Sequence, residues 1–252
     1  MKDGSVMVGA TLRAGFSDVT GAVRDCWGAL ALAAALGVGA NLLPPGLSGA
    51  VAILAVVIAQ GALFRRAFGR HEGLKGLRWG RDEWRLLGAQ LMILSLFLLI
   101  GAILMIIVGG VSLGIARTAA PDFDASTTEG WKAAYASAGP AGFVIALVPL
   151  ASLAILVWLG LRLSLSAPAT VEQSGVRVLS AFPLTKGHVP VLLAVGFVIA
   201  LPVLLISAAM RLAPQGLIVA AILAACAYFY AMPAWAGALA HVYRRRAALQ
   251  DA

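Results

Sequence analysis

The chain has 252 residues, of which 61% are apolar and only 12% charged, and it carries a net charge of +8. With a mean hydropathy of +0.94, it departs from water-soluble domains, which are about 45–50% apolar and about 25% charged, and equally from disordered segments. The positive balance does not mark a nucleic-acid binder, because the cations fall between apolar blocks, where basic loops set membrane orientation.

Residues 1–25 hold no apolar core of about 7–15 residues ahead of a small-residue cleavage site, so the segment is not expected to be a cleaved secretory signal. Leu12, Phe16, Val19 and Val23 instead recur at helical spacing, with Arg13, Ser17, Thr20 and Arg24 elsewhere around the wheel. That pattern predicts a short amphipathic helix lying on the inner leaflet.

Six blocks then reach the roughly 20 mostly apolar residues that a membrane helix needs. The first runs from about Cys26 to Leu43 and stops at Pro44-Pro45-Gly46, a tight turn that sends the chain back as a hairpin into the second, about Leu47 to Phe64. The third begins near Leu86. Its uncharged run reaches about Ile115, longer than a bilayer requires, with Gly109-Gly110 as a predicted end or flexure. The fourth covers about Ala141 to Leu161, the fifth about Val189 to Ala209, and the sixth about Gly216 to Ala240. The predicted fold is an all-α polytopic membrane protein with six transmembrane helices and short cytoplasmic amphipathic helices. It divides into an amphipathic segment (1–25), a six-helix domain (26–240) and a basic tail (241–252).

The segments between blocks are equally informative. Residues 65–85 carry seven Lys or Arg, but Gly69, Gly73, Gly76 and Gly80 argue against a continuous helix there. Asp82 and Glu83 suit the positive end of the third span's dipole. Between spans four and five, Ser166 is placed to cap a helix with Pro168 in its first turn. Val171, Val178, Leu179 and Phe182 would line one side, and Gly187 would end it. The basic residues sort sixteen to three between the two faces, which places both termini in the cytoplasm. Trp27, Trp84, Trp131, Tyr135 and Tyr243 fall near block ends, where amphipathic rings favour the interface.

Few residues offer chemistry. Cys26 and Cys226 lie within apolar blocks and read as packing residues, not a disulfide. His71, His188 and His241 are scattered, with no metal-ligand spacing and no nucleophile motif, so neither a metal nor another cofactor is expected. No span carries Asp, Glu, Lys or Arg near its middle, which argues against a proton-coupled pump. Asn41, Gln60, Gln90, Ser95 and Ser152 are the uncharged polar groups there, read chiefly as interhelical hydrogen bonders. Pro149, Pro202 and Pro233 lie inside spans four, five and six. They serve as hinge candidates around a central cavity or as tolerated kinks. Arg162, at the inner edge of span four, either grips a lipid phosphate or Glu172 with its planar fork, or snorkels to fix orientation. Arg177 and Lys186 could join it in an anionic headgroup site.

Two stretches are more specific. Arg162-Leu163-Ser164-Leu165-Ser166-Ala167-Pro168-Ala169-Thr170-Val171-Glu172 and Ala181-Phe182-Pro183-Leu184-Thr185-Lys186-Gly187 resemble a pattern in a family of bacterial inner-membrane domains. The family includes the membrane domain joined to some glycerophosphoryl diester phosphodiesterases, along with stand-alone proteins. Its pattern is Arg-Leu-x-Leu-x-x-Pro-Ala at a span end, a short helix, then Ser-Trp-x-Leu-Thr-Lys/Arg-Gly. Here Ala181 replaces the Ser and Phe182 the Trp. The resemblance implies a six-span helical domain linked to phospholipid headgroups. It does not bring the phosphodiesterase, whose barrel this chain has no room for.

The expected function is therefore non-enzymatic: a multi-pass protein of a bacterial inner membrane that engages anionic phospholipids or a membrane protein partner in envelope homeostasis. The alternative is a small-molecule or lipid carrier that flexes at the prolines.

Overall fold

The computed structural model describes residues 7–70, 73–211 and 216–250, and all regular structure among them is helical apart from one Leu74–Leu77 bridge. Six helical stretches are long and apolar enough to cross a membrane, so the chain is a multi-pass, all-α membrane protein. His71 lies outside the described residues.

The helices are α1 Val8–Ser17, α2 Val19–Ala40, α3 Pro45–Ala67, α4 Arg81–Ala119, α5 Thr128–Ser137, α6 Gly142–Leu163, α7 Ser166–Glu172, α8 Ala181–Leu184, α9 Val189–Met210, α10 Leu217–Cys226 and α11 Met232–Gln250. A π-helical turn, Ala227–Ala231, joins the last two into one span. The described residues up to Met92 and from Leu161 form one compact unit, and Ile93–Gly160 form a second.

The first unit is built on the α2–α3 hairpin. Pro45 occupies the first turn of α3, where a missing N–H costs nothing, and Pro44 ahead of it is extended. Ala22, Cys26, Ala29 and Ala33 of α2 meet Ala55, Ala59 and Ala62 of α3 in its core. In hydrocarbon the driving force between helices is contact itself, and small side chains let backbones approach closely. The Cys26 thiol lies 3.6 Å from the Ala62 carbonyl.

The N-terminal segment differs from expectation. One helix does not run through Leu12, Phe16, Val19 and Val23. The chain breaks at Asp18, and α2 begins at Val19, ahead of the expected start at Cys26. The buried face of α1 is Thr11 and Gly15, while Phe16 is exposed. It docks on α11, and a Cβ at Gly15 would lie 2.7 Å from the Ala234 carbonyl oxygen. Packing against a small-residue surface has therefore replaced the apolar stripe as the organising contact.

The 166–187 segment also differs. Two short helices replace one, because Ser174 adopts a left-handed conformation (φ 52°) ahead of Gly175. Ser166 does not cap; it lies inside α7, and residues 165–171 are all buried. Val178 is buried but Leu179 is exposed, so no amphipathic stripe forms. Gly187 ends the segment at φ +79°, as expected.

In α4, helix runs unbroken through Gly109-Gly110 for 39 residues. That is about 58 Å at the α-helical rise, nearly twice the roughly 30 Å of bilayer hydrocarbon. Within the second unit, α4 and α6 expose Ile103, Met105, Ile106, Leu150 and Leu153, the surface expected where lipid is the solvent. The loop joining them gains a helix not foreseen from sequence. Thr127 caps α5 by accepting from the Gly130 amide at 3.0 Å, and Glu129 lies in its first turn. Phe123 and Trp131 pack edge to face.

Gly15→Val tests the docking of α1. Overpacking of this kind costs about 1–3 kcal/mol, so a lower melting temperature in detergent and faster trypsin cleavage at Arg13 are expected. Wild-type cleavage rates would show that α1 is not held through this contact.

Candidate functional site

The basic segments converge at one end of the first unit, and the C-terminus of α3 is their anchor. Arg65 points inward and forms an ion pair with Glu83, in the first turn of α4. Both side chains are almost wholly buried, at 2% and 1% exposure. Arg65 Nη2 donates to the Gly76 carbonyl at 3.0 Å, and the Gly80 amide donates to Glu83 Oε2 at 2.7 Å. Gly61 leaves the space Glu83 occupies, since a Cβ there would strike the carboxylate. Gly76 needs glycine for two reasons: its φ is +77°, and a Cβ would meet Cys26 Cα at 3.0 Å.

Arg66 points the other way. Its Nη2 donates to Asp18 at 2.9 Å and its Nε to Asp25 at 2.8 Å, fastening the α1–α2 break to α3. Arg70 reaches across to Asp82 at 3.3 Å, to the Val171 carbonyl, and to Glu172 at 3.9 Å. Gln90 Nε2 donates to Gln60 Oε1 at 2.9 Å, the interhelical bond expected of these two residues.

These contacts frame a cavity of about 520 Å³. Arg65, Arg70, Arg78, Arg81 and Arg85 line it, with only Asp82 and Glu83 as carboxylates and Ser174 at one side. Arg65 and Glu83 cancel, and Asp82 is shared between Arg70 and Arg85, the latter at 3.2 Å. Guanidinium charge is therefore left in excess. Arg78 and Arg81 are exposed. Beside the cavity, Trp79 and Trp84 pack edge to face with centroids 5.4 Å apart, and both are exposed, as are Leu74 and Leu77. A basic cavity bordered by exposed Trp and Leu suits a membrane interface, where indoles enter the headgroup layer and guanidinium forks take phosphate oxygens.

The residues singled out from sequence are distributed differently. Arg162 turns onto the following segment: its Nη1 donates to the Phe182 carbonyl at 3.0 Å and approaches Thr185 Oγ1 at 3.4 Å. Thr185 in turn donates to the Arg162 carbonyl at 3.2 Å, and the guanidinium lies over the Phe182 ring. The Arg162 and Thr185 of the two motif stretches are thus opposite sides of one joint. Glu172 lies at the cavity's edge, by Arg70. Arg177 is exposed, its amide bonded to Thr170 Oγ1. Lys186 is exposed, and its carbonyl accepts from Arg246, which also contacts His188 Nδ1. Pro149 and Pro202 lie within unbroken helices, and Pro233 is the second residue of α11, two residues past the π turn. Among the described residues, no three His, Cys, Asp or Glu side chains gather as metal ligands.

The arginine constellation was visible in sequence only as the most basic loop. Comparison with family models, curated proteins and solved structures gives no match.

Removing one partner of a buried ion pair leaves an uncompensated charge, at about 3–5 kcal/mol, whereas replacing both with apolar groups is near neutral. Arg65→Met is therefore expected to destabilise strongly, and adding Glu83→Leu should recover most of the loss in mixed-micelle unfolding. Additive losses would show that the two residues act independently.

Asp18 supplies a pH signature. The hydrogen bond from Arg66 holds its carboxyl below the ordinary range. A depressed carboxyl pKa stabilises the folded state above the unfolded value, and that contribution disappears as pH falls through the folded value. The melting-temperature gap between wild type and Asp18→Asn should therefore hold from pH 7 to about 5 and close below the ordinary pKa of about 4. A gap that widens on acidification would contradict this.

Proposed function

We propose that this chain is a non-enzymatic multi-pass protein of a bacterial inner membrane that holds anionic phospholipid headgroups at its basic end, in support of envelope homeostasis. The observation that carries the reading is the arginine-lined cavity bordered by exposed Trp79 and Trp84. Its volume falls in the range of about 300–1,000 Å³ usual for small-molecule sites. Its charge suits a phosphate, and the neighbouring apolar side chains suit the acyl boundary beneath one.

The sixteen-to-three division of cations supports a cytoplasmic placement of this end, with both termini inside. The contacts of Arg66, Arg70, Arg244 and Arg246 gather the start of α2, the end of α3, the start of α4, α7 and the end of α11 there. The resemblance of 162–188 to a headgroup-linked membrane domain points the same way. In this reading Arg162 holds the α6–α8 joint, and Arg78 and Arg81 meet the lipid.

The test is lipid retention by full-length protein in nanodiscs of phosphatidylcholine with and without phosphatidylglycerol, read by native mass spectrometry across a salt series. Wild type should retain phosphatidylglycerol preferentially, and less so as salt rises. A basic side chain near the surface contributes about 1 kcal/mol, so Arg78→Gln with Arg81→Gln should weaken retention by roughly twentyfold or more. Equal retention of the two lipids, or retention indifferent to both substitutions, would overturn the proposal.

A further inference from the structure

At the end of the first unit away from the arginines, a second cavity of about 740 Å³ opens between α2, α3 and α10. Its walls are small or apolar: Gly37, Ala52, Ala220, Leu223 and Ala224. Asn41 also lines it, and its amide nitrogen already donates to the Gly37 and Val38 carbonyls. Tyr228 also lines the cavity, and the residue is 8% exposed. Among the described residues its hydroxyl has no hydrogen-bond partner.

A phenol in this position is unusual. Tyr228 lies eleven residues beyond Leu217, the first residue of α10, which is about 17 Å along the helix. That is close to the middle of a hydrocarbon layer about 30 Å thick. Within hydrocarbon, a hydroxyl that opens onto an apolar cavity has neither water nor an acceptor, which carries a desolvation penalty, and Tyr in apolar surroundings ordinarily finds an acceptor.

The local backbone positions it there. Tyr228 belongs to the π turn Ala227–Ala231, in which the Met232 amide donates to the Ala227 carbonyl. Pro233, which has no N–H to donate, follows two residues after this turn. Gly37 makes room for the ring: a Cβ there would lie 3.0 Å from Tyr228 Cε2 and 3.5 Å from the hydroxyl. A wide turn, an absent side chain and a proline all fall where a lone donor faces an apolar cavity, and single π turns inside α-helices often mark functional sites.

We infer that this cavity binds a neutral, membrane-soluble molecule with an apolar body and a carbonyl oxygen that accepts from the Tyr228 hydroxyl. No fixed charge lines the cavity, so an ionised ligand would find no counter-ion, and a pure hydrocarbon would leave the phenol unpaired. Two sources supply the required chemistry: the carbonyl of a quinone ring and the ester carbonyl of a diacylglycerol-type lipid.

The test uses full-length protein in phosphatidylcholine nanodiscs, titrated separately with decylubiquinone, dioctanoylglycerol and decane, with binding read by native mass spectrometry. Saturable binding of decylubiquinone alone assigns a quinone; saturable binding of dioctanoylglycerol alone assigns an ester lipid. In either case Tyr228→Phe should weaken the affinity by about three- to tenfold, the worth of one neutral hydrogen bond, with its melting temperature close to wild type. Ala220→Leu, which fills the cavity, should abolish binding. Failure of both carbonyl probes to saturate, tight binding of decane, or unchanged affinity in a folded Tyr228→Phe variant would each overturn the inference. Because Tyr228 and the arginine cavity lie at different depths, this outcome is independent of the phosphatidylglycerol result.

Discussion

The charge of Arg65 has to be neutralised because it points into the protein from the last turn of an apolar helix. Outside the packed interior a guanidinium at that depth would reach for water or phosphate. Here it meets Glu83, and the two side chains exclude solvent from each other. Such a pair contributes little net stability, since desolvating two ions offsets most of their attraction. What it supplies is geometry. It fixes the end of α3 against the start of α4, and through the Gly76 carbonyl it fixes the loop between them. With that loop held, Arg70 can span from Asp82 to α7, and Arg78 and Arg81 are left lining a cavity.

The same logic governs the 162–188 segment. Residues 165–171 are buried, so their polar groups must be paired within the protein. Thr170 accepts the Arg177 amide, and Thr185 bridges back to the Arg162 carbonyl. An Arg and a Thr separated by more than twenty residues form a single joint. Arg162 donates to the Phe182 carbonyl and Thr185 within that joint, while the arginines that line the cavity come from a different loop.

Much of this architecture was legible in the sequence because hydrocarbon imposes a simple rule: a span must be long, apolar and helical. The six spans, the Pro44-Pro45 hairpin and the broken, glycine-rich 65–85 segment all follow from it. What the sequence concealed depends on contacts between distant residues. Nothing local distinguishes Arg65 from Arg66, yet one is buried against Glu83 and the other faces Asp18 and Asp25. The apolar spacing of the N-terminal segment did not run along one helix, which breaks at Asp18, and Gly15, which hydropathy ignores, decided how α1 docks. The helix expected over 166–187 failed at Ser174, where a left-handed residue turns the chain despite the apolar spacing. Tyr228 escaped notice because a tyrosine in an apolar run reads as an ordinary aromatic until its surroundings are known.

The two ends of the first unit resolve the demands of the membrane in opposite ways. At the basic end Arg65, Arg66, Arg70 and Arg85 are each paired with a carboxylate, and glycines serve to bring backbone and charge together. At the other end glycine and alanine withdraw, and the space they leave stays open. Close packing is the norm in protein interiors, and a cavity forfeits the contacts its lining would otherwise make. Ala52, Ala220 and Ala224 each border this one, where larger apolar residues would reduce it. A hydroxyl at the midplane adds a second cost in the same place. Two costs borne together at one site, without a compensating contact inside the protein, indicate that the compensating contact comes from outside it.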